Sequence, residues 1–288
     1  MVSRFNGSSR RGSPWTRSSV LPAVNMLPIR ADHTHRPSRR RLQRIADQWL
    51  PIGYANVIAR ITILDHGGHQ RPVIHRGSKH QRFRIPSTKT NTTQVGEGRG
   101  EEALAYYNEV CTDVIDYQCH PYEITIMKGD RKQRYRPDSV RIFTDGHIEL
   151  IEVKRTPQDL SDPEYRETLA LISEVCRRCG WEFRVLFLHD ILGTRERQMN
   201  VSALFCRRSM ALSRTEERIT GRLVGQARPI EWGALRDRFA PEDRLHGDAV
   251  IEHLLARGML ATDLDLAFTP RTVLMPTRPF TGISDIRL

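Results

Sequence analysis

Apolar and polar positions fall into a sustained rhythm only from about residue 95 onward, and from there the elements can be read in order. The spacing predicts a short helix over Glu101–Val110, an extended stretch over Val114–Ile126 and a hairpin turning at Thr144-Asp145-Gly146. The clearest helix opens at Asp162-Pro163, an N-cap followed by a first-turn proline, and stops at Gly180. Tyr165, Leu169, Ile172, Cys176 and Cys179 mark its apolar face. The run Phe183–Leu188 reads as a strand buried on both faces. Strand, hairpin, helix and strand in this order predict an α/β core, a mixed sheet flanked by helices.

Outside that core the rhythm weakens. Val57–Leu64 and Gln81–Ile85 read as strands on either side of a Gly/His-rich stretch. His66, His69 and His75 in and after it have no Cys or acidic partner at metal spacing, and a polar loop is the expectation. Downstream, helical segments at Thr215–Gly225, Glu231–Phe239 and Gly247–Arg257 precede a loosely alternating Met259–Val273, and three helices before a ribbon suggest a winged helix. The chain therefore divides into a basic, disordered arm (1–45), an extension of the core (46–85), the core itself (86–195), a basic connector (196–214) and a winged-helix-like domain (215–288). For the first residues the alternative is an over-long start, with Met26 beginning the protein.

Composition narrows the partner more than the fold. A length of 288 residues, 39% hydrophobic and 27% charged, is ample for a packed core, and no apolar run reaches the length of a membrane span. A net charge of +11, carried largely by arginine, points to a polyanion and to nucleic acid before lipid. Five cysteines are too sparse for a disulfide scaffold, and residues 1–20 lack the apolar segment of a signal peptide, so a cytoplasmic home is expected. Cys176 and Cys179 both fall on the apolar helix face, which makes them core residues before redox or zinc ligands.

Candidate chemistry lies in Arg136-Pro137-Asp138 and, after thirteen residues, Glu152-Val153-Lys154. If Thr144, Asp145 and Gly146 make a three-residue turn with Gly146 left-handed, Phe143 pairs with His147 and Asp138 lies opposite Glu152. Lys154 then shares the face of the two carboxylates, while Glu149, Ile151 and Val153 point away. A two-residue turn or a bend at Pro137 shifts that register. Two carboxylates and an amine suit metal-assisted phosphodiester hydrolysis: the acids hold Mg²⁺ or Mn²⁺, and the amine orients water or offsets phosphate charge. A third acid is expected from the preceding helix, Glu101, which shares a face with Leu104, Ala105 and Asn108, or alternatively Glu102. The plain reading of Glu152 and Lys154 is an exposed salt bridge.

These residues resemble a known family, the TnsA endonuclease subunit of heteromeric Tns-type transposases, from about Pro86 to Leu192. The similarity runs through Ile85-Pro86-Ser87-Thr88-Lys89, the Glu97 to Glu101 spacing, Val114-Ile115-Asp116-Tyr117 with His120-Pro121, Tyr135 to Asp138, Ile151 to Lys154 and Gly180-Trp181-Glu182-Phe183. It implies a restriction-endonuclease-like PD-(D/E)xK nuclease fold with a winged-helix C-terminal domain. It further implies that Glu101, Asp138 and Glu152 bind the metals and that Lys154 assists hydrolysis; the expected metal set also includes the Val153 backbone carbonyl. The implied activity is nicking of double-stranded DNA at the 5′ ends of a transposon. The implied partners are a TnsB-like integrase-type transposase that cuts the 3′ ends and a TnsC-like AAA+ ATPase, in a bacterial cytoplasm. The chain departs from the pattern at Ser139, where an aromatic is usual, in the glycines before Glu101, and in a longer region up to about residue 80. A catalytically silent DNA-binding or scaffolding subunit, and a free-standing restriction or repair nuclease, stand beside this reading.

Overall fold

The computed structural model describes residues 48–53, 56–63 and 81–277. The basic arm and His66, His69 and His75 lie outside the described residues.

Two four-stranded sheets form the core. The first contains β1 (Leu50–Pro51), β2 (Val57–Thr62), β6 (Glu123–Lys128) and β7 (Arg131–Tyr135), in that order and all antiparallel. Its inner face follows from the period of two: Val57, Ala59 and Ile61 are buried while Ile58 is exposed. The second contains β5 (Val114–Cys119), β8 (Ser139–Phe143), β9 (Ile148–Lys154) and β10 (Glu182–Phe187), in the order β10-β9-β8-β5. Only β9 and β10 run parallel, which demands a long crossover. Helix α2 (Pro163–Cys179) supplies it, with the Asp162 side chain accepting from the Glu164 N–H at 2.9 Å and Gly180 left-handed at φ 75°. Ile124, Ile126, Val140, Leu150, Leu169, Ile172 and Val175 interlock between the two sheets and α2. Each such side chain contributes about 1.5–3 kcal/mol by leaving water. Cys176 and Cys179 sit in this core as free thiols.

Helix α1 (Arg99–Val110) covers the opposite face of the second sheet, where Leu104 meets Ile151 and Leu186. Its C-terminal end is clamped by the turn between β3 (Arg82–Pro86) and β4 (Thr93–Glu97). Glu109, fully buried, accepts from the Ser87 hydroxyl at 2.6 Å, the Thr88 N–H at 2.7 Å and the Tyr117 hydroxyl at 2.9 Å. Lys89 donates to the carbonyls of Asn108 and Cys111 at 2.7 Å each, and burial pulls its pKa down to about 8. Deeper along the helix, Arg141 donates to Glu149 at 2.7 and 2.9 Å and to the Asn108 side chain at 3.2 Å. These bonds fix the rotation of the helix that begins near Glu101.

Three expectations change. The stretch Val114–Ile126 is broken at His120, whose φ of 47° turns the chain out of one sheet into the other. Strand β10 is an edge of its sheet, full burial is limited to Leu186 and Phe187, and Arg184 interrupts the apolar run with a partner in Glu149 at 3.0 Å. The stretch read as a connector is largely helical: after the short α3 (Leu188–Leu192), α4 (Arg195–Arg207) buries Arg197, Asn200, Val201 and Leu204, with Arg197 paired to Asp265.

Beyond it, α5 (Arg214–Gln226), β11 (Ile230–Glu231), α6 (Trp232–Phe239), α7 (Arg244–Ala256), β12 (Leu260–Ala261) and β13 (Val273–Pro276) enclose a second core around Trp232, Leu235, Val250, Leu254 and Leu274. The three strands take the order β11-β13-β12. Among the described residues no helix is long and apolar enough to cross a membrane.

Candidate active site

The hairpin takes the register that the three-residue turn demands. Gly146 is left-handed at φ 84°, its N–H donates to the Phe143 carbonyl at 2.9 Å, and the Phe143 N–H donates to the His147 carbonyl at 2.9 Å. Ser139 then pairs with Ile151, the last pair of the ladder, and just beyond it the Asp138 N–H donates to the Ile151 carbonyl at 3.1 Å, so that Asp138 sits beside Glu152 at an irregular end of the register. The Val153 N–H, one step further along the same strand edge, donates to Asp138 Oδ2 at 2.7 Å. Because N–H and C=O of one strand residue share an edge, the Val153 carbonyl faces this end of β8 as well.

Glu152 is buried and held on every side. Its Oε2 accepts from the Tyr135 hydroxyl at 2.5 Å, and its Oε1 accepts from the Tyr165 hydroxyl and from Lys154 Nζ, both at 2.5 Å. Lys154 also lies over the Tyr165 ring, 4.9 Å from its centroid. Burial first, and then the Glu152 charge, push both phenols far above their ordinary value, so each remains a donor. Both tyrosines are thus direct neighbours of Glu152, which their places in the sequence did not announce. Tyr135 stood in the matched motif as a neighbour of Asp138, and Tyr165 stood on the α2 stripe as an apolar residue; its polar tip was the available signal.

Of the two acids that open the first helix, Glu101 is the one that reaches Asp138. Its Oε2 accepts from the Glu97 N–H at 3.1 Å and lies 3.1 Å from His120 Nε2, whereas Glu102 turns to the Tyr106 hydroxyl at 3.4 Å. Ligating atoms of Glu101, His120 and Asp138 all lie within 4.8 Å of one another. The glycines before Glu101, unusual at a helix start, have a steric reason here: a Cβ on Gly96 would stand 2.7 Å from Glu101 Oε2 and one on Gly100 2.6 Å from Val153 Cγ1. His120 is tied in by its N–H, which donates to the Asp138 carbonyl at 2.9 Å. It was a matched position without an assigned role.

The electrostatics suit a cation. Burial, followed by the charges of Glu152 and Glu101, holds the Asp138 carboxyl well above its ordinary value despite the Val153 N–H and Lys154. His120 is 2% exposed, yet its Nε2 has no hydrogen-bond partner among the described residues. Cys119, beside them, is pushed up by burial and by Glu101 and Asp138, and stays a neutral thiol. Carboxylates short of positive charge around an unsatisfied buried nitrogen fit a divalent metal ion. A second grouping, His147, Glu149 and Glu182, lies at the other end of β9, where Arg141 and Arg184 already neutralise Glu149.

Residues 111–187 match the family described as TnsA-like endonuclease N terminal. The match supports a TnsA-like nuclease, and with it a DNA endonuclease of a transposition system. No curated protein matches the chain.

Proposed function

We propose, with a TnsA-like nuclease as the premise, that the chain is a Mg²⁺- or Mn²⁺-dependent DNA endonuclease subunit of a heteromeric transposase, nicking the 5′ ends of a transposon. The observation that supports this reading is the grouping of Glu101, His120 and Asp138 at the end of the hairpin, with the Glu152 charge close to Asp138. Glu101, Asp138, Glu152 and the Val153 carbonyl would hold the metal, whose charge offsets the developing negative charge on the phosphate. Lys154 is positioned by Glu152 and Tyr165 to orient the attacking water and to pair with a phosphate oxygen. Tyr135 and Tyr165 hold the Glu152 carboxylate in one orientation, which keeps Lys154 at the reacting centre.

Double-stranded DNA at the transposon ends is the substrate. Arg131, Lys132 and Arg134 on β7 are exposed, as are Arg214, Arg218 and Arg222, one turn apart along α5. Such side chains contact phosphates and make binding fall steeply with salt without reading bases. The order helix, strand, helix, helix, strand, strand from α5 to β13 supports reading residues 215–288 as a winged-helix-like domain. The partners on this reading are a TnsB-like integrase-type transposase and a TnsC-like AAA+ ATPase in a bacterial cytoplasm.

The test is nicking of transposon-end DNA by purified protein, alone and with its transposase, in Mg²⁺ or Mn²⁺. Asp138→Ala and Lys154→Ala should abolish nicking and retain DNA binding. Undiminished nicking by Asp138→Ala overturns the site, and DNA binding with no metal-dependent nicking in either setting favours the scaffolding subunit.

A further inference from the structure

A carboxylate oxygen and an imidazole nitrogen 3.1 Å apart would ordinarily be a hydrogen-bonded pair. Glu101 Oε2 and His120 Nε2 have that distance but not that alignment, since the nitrogen has no hydrogen-bond partner among the described residues. Two atoms bound at right angles to one ion at about 2.1 Å are roughly 3.0 Å apart. The spacing is therefore that of two neighbouring ligands aimed at a common third atom. His120 is also held in a costly way: it is 2% exposed, it adopts a left-handed φ of 47°, and its N–H is fastened to the Asp138 carbonyl at 2.9 Å. An orphaned buried nitrogen on a strained residue, delivered between two carboxylates, calls for a chemical reason.

We propose that His120 Nε2 is a direct ligand of the metal, so that the centre is a mixed nitrogen–oxygen site and prefers Mn²⁺ to Mg²⁺. Mg²⁺ demands oxygen donors and keeps its waters, whereas imidazole nitrogen is a better donor to transition ions than to Mg²⁺. Asp138 and Glu101 supply the charge, and His120 supplies the discrimination. Both the ligand and the preference rest on the nuclease reading of the site above.

The experiment is pulsed electron paramagnetic resonance on the full chain loaded with Mn²⁺, without DNA, together with Mn²⁺ and Mg²⁺ titrations by calorimetry. The expected result is nitrogen coupling in the native chain that disappears in His120→Asn, a replacement that tolerates the left-handed backbone. Mn²⁺ affinity should fall at least as far as the roughly 10–100-fold typical of losing a residue that merely orients a ligand, with Mg²⁺ affinity changing much less. Absence of nitrogen coupling in the native chain overturns the proposal without any variant. So does unchanged Mn²⁺ affinity in His120→Asn. Asp138→Asn separates the two readings: Mn²⁺ binding that requires Asp138 but shows no nitrogen sinks only the role of His120, while Mn²⁺ binding indifferent to Asp138 sinks the site itself.

Discussion

Gly100 is pressed against Val153, so closely that a Cβ on the glycine would lie 2.6 Å from Val153 Cγ1. The contact joins the start of α1 to the strand that carries Glu152 and Lys154. Gly100→Ala should push the helix start off the sheet and carry Glu101 with it. The expected cost is about 1–3 kcal/mol of stability from overpacking, with a loss of metal affinity that denaturant melts and Mn²⁺ titration read separately. Native metal affinity in a folded Gly100→Ala protein would show that the close approach does not position Glu101.

Tyr135 and Tyr165 grip opposite oxygens of one carboxylate. A hydrogen bond to a charged group contributes about 1.5–3 kcal/mol, so Tyr135→Phe and Tyr165→Phe should each lower stability in urea melts. Because both act on Glu152, the double variant should differ from the sum of the singles by about 0.5 kcal/mol or more. Strict additivity would mean that the carboxylate is not shared as described.

Asp138 gives a pH dependence of definite sign. Its folded value is raised above the ordinary 3.8, so its stabilising contribution is complete below that pH and is lost as pH rises through the folded value. At neutral pH the metal-free protein bears the cost of that burial and of the neighbouring Glu152 and Glu101 charges. Asp138→Asn should therefore raise the metal-free Tm at pH 7.5, by about 2–4 °C for each kcal/mol relieved, and the difference should shrink toward pH 4. It should also abolish the Tm increase expected on adding Mn²⁺ to the native chain. A lower Tm for Asp138→Asn across this range would contradict the assignment of repulsion.

Arg141 is fully buried and its charge answers Glu149. Removing one partner of a buried pair costs about 3–5 kcal/mol. Arg184 remains at 3.0 Å, so Arg141→Ala should fall toward the lower end of that range in a denaturant melt. Stability within 1 kcal/mol of native would mean that Arg184 alone suffices.

The parts of the site legible in sequence were those governed by local rules. Turn chemistry at Gly146 fixed the strand register by counting, and helical spacing separated Glu101 from Glu102. What escaped depended on contacts between distant segments. Nothing local marks Tyr165 as a partner of Glu152, since its spacing on α2 is that of any core residue. His120 looked like a strand residue because a single left-handed φ leaves no hydropathy signature. Likewise Arg197 and Asn200, buried through Asp265 and the carbonyls of Leu264 and Leu266, made α4 look like a polar connector. The clamp of Ser87, Thr88 and Lys89 on α1 was visible only as a motif, because its partner Glu109 lies more than a whole element away.

Among the described residues the chain steps directly from one four-stranded sheet to the other twice, once from Cys119 to Glu123 and once from Tyr135 to Ser139. The crossings run side by side, stitched by the bond from His120 to Asp138. His120 and Asp138 are thus at the joint of a book whose covers are the sheets, and Tyr135, on the other cover, touches Glu152. Any change in the angle between the covers is felt first as a change in spacing among these groups. On the proposed reading, a duplex that spread or closed the sheets would alter that spacing without touching any of these side chains.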